Sequence, residues 1–179
     1  MMFTIREAWT AVHGTMMGFG FIMFYTGTLA LLFTLRSRLL TPEGVQRNVA
    51  LLKTAIAIVA VLSWVAVFIG TYVSYPWYRA APPAGTTELT MYARSFLLAN
   101  AGKEAWHTFG MEWKEHVAWI SPILATAAAA AAVVWRYGRG LKDSLVLNWT
   151  VVVTTLVSFT AAAVAGVLGA FITKTAPVI

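Results

Sequence analysis

The chain contains no cysteine, one aspartate (Asp143) and three histidines, and only 11% of its residues are charged. Each scarcity closes off a class of chemistry. Without cysteine there is no disulfide, no thiolate nucleophile, no thioether-linked haem and no cysteine-ligated iron–sulfur cluster. A soluble domain carries about 25% charged residues, so a chain this poor in charge cannot cover a water-facing surface. Lipid has to replace water around most of it. No glycine-rich phosphate loop and no Ser/His/Asp arrangement is present, which leaves soluble-type hydrolysis without its residues.

What is abundant is apolar: 59% of the 179 residues are hydrophobic. They gather in four stretches, near 9–35, 50–75, 116–136 and 144–172. Crossing about 30 Å of hydrocarbon takes roughly 20 helical residues, and each stretch is long enough. In lipid every backbone amide must find its partner within the segment, and the two-residue alternation of barrel strands is absent, so the spans are helices. The expected fold class is all-α: a polytopic membrane protein with a bundle of four transmembrane helices, forming one domain over residues 1–179. The N-terminal residues lack the cleavage pattern of a secretory signal.

Charge orients the bundle. Arg36, Arg38, Arg47 and Lys53 outnumber Glu43 after the first span, and Arg136, Arg139 and Lys142 outnumber Asp143 after the third. Short basic connections stay in the cytoplasm. The long connection 76–115 balances Arg79, Arg94, Lys103 and Lys114 against Glu88, Glu104, Glu112 and Glu115. The expected location is therefore the inner membrane of a bacterial or archaeal cell, with both termini and the 76–115 loop outside. The net charge of +6 is spread over loops with no aromatic-basic face, so nucleic acid is not an expected partner.

Local signals mark the connections. Thr41-Pro42-Glu43 reads as a helix start, with cap, first-position proline and acid at the positive end of the dipole. Pro76 should end the second span within the aromatic run Tyr72–Arg79. Pro82-Pro83-Ala84-Gly85 is a turn, and Thr87–Asn100 reads as an interfacial helix closed by Asn100 and Gly102. A further helix starts at Lys103, with a bend at Gly110, and runs past His116 into the third span. Thr150, Thr154, Ser158, Ala162, Gly166 and Gly169 form a small-residue face for close helix packing. Trp64, deep in the second span, packs against a ring cofactor or against the fourth span.

Residues able to carry chemistry gather in few places. His13, Met17, Gly20, Phe24 and Gly27 fall on one face of the first helix at spacings of three and four. A ligand histidine followed by glycines suits a haem, whose plane lies against the helix. Trp106–Trp119 holds the other two histidines, His107 and His116, with Met111, Glu112 and Glu115. By the charge argument all three histidines lie on one side. His13 with His116 is the expected axial pair, with His107, Met17 and Met111 as alternates. Arg79, Arg94 and Lys114 are candidate partners of the propionates and, equally, interfacial anchors. Glu112 and His116, one turn apart, could chelate an ion, but the further carboxylates of a bundle di-iron site are missing. The ligand types also admit copper, without a His-x-His pair to support it.

With a histidine opening the first and third of four spans and glycines on the first helix, the chain resembles four-helix membrane b-type cytochromes, the haem-carrying anchors of respiratory oxidoreductases. The resemblance implies haem b as cofactor, held at His13 and His116 with Gly20 and Gly27 beside it. It implies other membrane subunits and quinone as partners within the bilayer. The inner side offers no histidine, so one haem is implied and not two. Two functions follow as expectations: an electron-transfer subunit passing electrons between a redox partner and quinone or another subunit, or a cofactor-free accessory subunit of a larger membrane complex. Neither assigns catalytic residues to this chain.

Overall fold

The computed structural model describes residues 4–37, 39–134 and 145–176, and among these it contains helices and no strand. Six helices are used below: α1 (Ile5–Arg36), α2 (Pro42–Tyr78), α3 (Ala93–Ala99), α4 (Glu112–Val117), α5 (Ile120–Val134) and α6 (Leu145–Thr175). α1 and α2, together with Val146–Thr175 of α6, are long and apolar enough to cross a membrane. α5 has 15 described residues, and 135–136, where the sequence extends the third span, lie outside the described set. So do Arg136, Arg139, Lys142 and Asp143.

The helix starts follow the caps. Thr4 accepts from the Glu7 amide at 3.1 Å while its own amide donates to Glu7 Oε2 at 2.7 Å, a reciprocal cap that starts α1 earlier than hydropathy alone suggests. Thr41 accepts from the Gly44 amide at 3.2 Å with Pro42 in the first turn, as the sequence predicts. Such a cap contributes about 1 kcal/mol.

α1, α2, α5 and α6 pack as a ring in which α1 meets α2, α2 meets α5, α5 meets α6 and α6 closes onto α1. Leu32, Leu52, Ile56, Ala128, Ala132, Val151 and Val152 form the core at one end, and Phe21, Tyr25, Val59, Ala125 and Ala162 continue it. Tyr25, fully buried, hydrogen-bonds Ser158, which also donates to the Ser121 carbonyl at 2.8 Å. These bonds let polar side chains sit inside the bundle. The small-residue face of α6 is turned from the expected one. Val151, Thr155, Ser158, Ala162 and Ala165 are buried, while Thr150 and Gly166 face outward. Successive steps of four drift by about 40° per step around a helix of 3.6 residues per turn, so an i+4 series cannot stay on one face.

Three π turns interrupt the helices, at Met16–Phe21 in α1, Gly70–Ser74 in α2 and Trp106–Met111 just before α4. Pro76 does not end α2. The helix continues to Tyr78, because the wider turn at Gly70–Ser74 rearranges the carbonyls against which the proline ring would clash. The expected helix over 87–100 forms only from Ala93. Glu88 Oε1 accepts from the Thr90 amide at 3.1 Å, a local bond that competes with helix. The turn after Pro83 is present, with Thr86 N bonded to the Pro83 carbonyl at 3.2 Å and Gly85 at φ 83°. The segment past His116 is broken at Ala118–Trp119 before α5 begins.

Candidate acid–base site at the loop end

The N-terminal half of α1, the end of α2, the 80–119 loop and the end of α6 meet at one end of the ring. Leu97, Met111, Tyr78, Ile172 and Ala176 form its apolar floor. Arg6 reaches from α1 to the Met91 carbonyl at 3.2 Å, and Trp106 stacks on Phe171 with centroids 5.4 Å apart. At Gly110 a Cβ would stand 3.4 Å from Trp106 and 3.7 Å from Ile172, so the π turn packs closely on α6 where a glycine permits it.

Two hydrogen-bonded sets rise from this floor. Arg94 Nε donates to His107 Nε2 at 3.2 Å, and Tyr78 Oη lies 3.0 Å from His107 Nδ1. A guanidinium only donates, so Nε2 is the acceptor and the neutral ring carries its proton on Nδ1, which donates to Tyr78. Burial, then the Arg94 charge, holds the His107 pKa below its ordinary value. In the second set Arg79 Nη1 donates to Tyr75 Oη at 3.0 Å, and Tyr75 donates to Glu115 Oε2 at 2.6 Å. The Tyr75 and Tyr78 rings, with centroids 6.2 Å apart, join the two sets.

Beyond Glu115 the bonding thins while the polar groups continue, with His13 bonded only toward the Ala66 backbone. Glu115 Oε1, Ser74 Oγ and His13 Nδ1 are buried and have no hydrogen-bond partner among the described residues. His13 lies against α2, and a Cβ at Gly70 would come within 3.0 Å of its Cε1 and 3.4 Å of its Nε2. Ser74 follows Gly70 by one turn. Lys114 lies over α6, with Cε and Nζ each 3.2 Å from where a Gly169 Cβ would stand, and its charge acts on both His13 and Glu115. Burial holds the Lys114 pKa below its usual value, and Glu115 pulls the other way. An ammonium, a carboxylate, an imidazole and a hydroxyl are thus gathered at this end from three elements, α1, α2 and α4. Gly70 and Gly169 provide the room.

The sequence-predicted residues divide accordingly. His13 enters the cluster. His107 is 6% exposed and has both ring nitrogens engaged. His116 is exposed, with Nδ1 2.6 Å from its own-helix Glu112 carbonyl. Gly20 is covered by Leu62 Cδ1, 3.5 Å from its Cβ position, whereas Gly27 has nothing within 4 Å. The π turn at Met16–Phe21 also takes both glycines off the plain helical face of His13. The Met17 side chain is outside the described set, and Met111 is buried in the apolar floor. Arg79 and Arg94 are bonded to Tyr75 and His107. Trp64 bonds Thr126 of α5 at 2.9 Å, rather than packing on the fourth span. No group of three or more His, Asp or Glu arranged for a metal occurs among the described residues. His13 Nδ1 and His116 Nε2 have no hydrogen-bond partner among the described residues, so each ring keeps one nitrogen of the donor type a haem takes.

Sequence reasoning offered Lys114 only as a partner of the propionates or an interfacial anchor, placed Glu115 in the chemistry-bearing stretch without a role, and passed over Ser74. The available signal was the pair Lys114–Glu115 next to an apolar span, a position where charge is expensive. Comparison with protein-family models, curated proteins and solved structures finds no match to this chain.

Proposed function

We propose that the chain is a four-span subunit of a larger membrane complex and that it contributes an acid–base site built on His13, Ser74, Lys114 and Glu115. One observation carries this reading: three buried polar atoms from three elements are left without partners at the end of the bundle where Lys114 lies over Gly169. Each such atom costs about 1–3 kcal/mol, and packing alone gives no return for keeping three together. Groups of this kind with complementary proton affinities suit the uptake and release of protons. In this reading the end with the long loop faces outward from the inner membrane of a bacterial or archaeal cell, and the balanced charge of 76–115 supports that orientation. A cysteine replacing Glu88 in this cysteine-free chain, labelled by an impermeant reagent on intact cells, tests that orientation.

The site itself is tested by tagging the chain, isolating its complex and comparing wild type with Lys114→Met/Glu115→Gln. Replacing partly buried charges by uncharged groups of similar volume is often neutral or stabilising. The expected result is an assembled complex in normal amount whose activity is lost. Full activity would remove the acid–base role, and failed assembly would make the pair structural.

A second reading has an observation of its own. His116 holds Nδ1 on a backbone carbonyl, an arrangement that orients metal-bound imidazoles. In it the chain is an electron-transfer subunit between a redox partner and quinone or another subunit. One b-type haem, which would supply one-electron transfer, would be held by His13 and His116. A reduced-minus-oxidised absorbance spectrum of the purified chain decides: a b-type band lost in His116→Ala supports it, and a flat spectrum from folded protein removes it.

A further inference from the structure

At the end of the bundle opposite the acid–base site, an open groove of about 500 Å³ runs along the outward face of α6. Val146, Trp149, Thr150, Val153 and Thr154 line it. Thr150 turns its hydroxyl to the Val146 carbonyl at 2.9 Å, so it offers mainly its methyl group to the groove. The lining spans two turns of a helix apolar enough to cross a membrane. From Val146 to Val153 this is about 10 Å of depth at 1.5 Å per residue. An apolar groove of this kind in a membrane helix takes an acyl chain.

The mouth of the groove is basic. The Arg36 guanidinium lies over the Trp149 ring, 4.0 Å from its centroid. A guanidinium stacked in this way keeps its edge N–H groups available to a phosphate, which it can bind through two parallel bonds. A tryptophan with one apolar and one polar edge sits naturally at headgroup depth. Arg47 and Lys53 belong to the N-terminal part of α2, at the same end, where Glu43 is the only acid in the helix.

We propose that this groove is a binding site for an anionic phospholipid, with one acyl chain along Val146–Val153 and the phosphate held by Arg36 over Trp149. The charge complementarity selects an anionic headgroup over a zwitterionic one. The depth of the groove selects a lipid over free phosphate. The site does not depend on the acid–base reading, because it lies at the other end of the bundle and shares no residue with it.

Native mass spectrometry of the full chain, released from detergent micelles containing equal phosphatidylglycerol and phosphatidylcholine, tests the proposal. Phosphatidylglycerol should be retained in preference. Arg36→Gln should lower that preference about tenfold, equivalent to about 1.4 kcal/mol, and Arg36→Lys should restore part of it. Val153→Trp, which fills the groove, should remove retention of both lipids. Arg79→Gln, at the far end, should leave the preference unchanged, and so should added inorganic phosphate. Equal retention of the two lipids by wild type would overturn the proposal. So would a preference that persists in both Arg36→Gln and Val153→Trp.

Discussion

The Arg94 guanidinium can only donate, and that single fact fixes the tautomer and charge of His107. The ring is held neutral between Arg94 and Tyr78, so the folded state binds a proton there less readily than the unfolded chain does. Stability from this group is therefore present above the unfolded value of about 6.5 and is lost as pH falls below it. The unfolding temperature of the purified protein should drop as pH is lowered through that point. The drop should be smaller in His107→Gln, whose amide can still accept from Arg94 and donate to Tyr78. An equal drop in both would place the pH dependence elsewhere. The sequence shows that three histidines share one end of the molecule, but not that His107 is the most buried of them. Its partners lie 13 and 29 residues away. No local pattern reports contacts of that range, whereas the Thr41 cap is set by residues three apart and was legible.

At the scale of the element, the π turns separate what periodicity predicts from what forms. Hydropathy finds the apolar stretches and places their centres, because burial in lipid depends on composition summed over many residues. It does not show where a helix widens by one residue. In α1 that widening takes Gly20 and Gly27 out of register with His13. In α2 it carries the helix through Pro76 and brings Gly70 against the His13 ring. Gly70→Val places a branched side chain where only 3.0 Å separates Cβ from His13 Cε1, and overpacking of this kind costs about 1–3 kcal/mol. A lowered unfolding temperature is expected, together with a changed His13 ring resonance. Gly27→Val, in open space, should leave both near wild type. If the two variants behave alike, the contact between α1 and the π turn of α2 is not part of the fold in solution.

For the whole molecule, the four-helix ring closes apolar cores along its length and gathers its unpaired acid and base groups at the end that carries the long loop. The bundle could be anticipated because few architectures let a chain so poor in charge satisfy its backbone in lipid. The site could not, since His13, Ser74, Lys114 and Glu115 come together only after three elements dock. The chain's five lysines make the central claim directly measurable. After reductive dimethylation with labelled formaldehyde, each lysine gives a separate carbon resonance that can be followed with pH, and Lys114→Arg identifies the one from the site. The account predicts that this resonance titrates below the ordinary lysine value of about 10.4. It should move lower still in Glu115→Gln, which removes the charge favouring the ammonium, and its midpoint should change in His13→Gln. A Lys114 resonance that titrates at the ordinary value, unmoved by either substitution, would contradict a shared acid–base site at this end of the bundle.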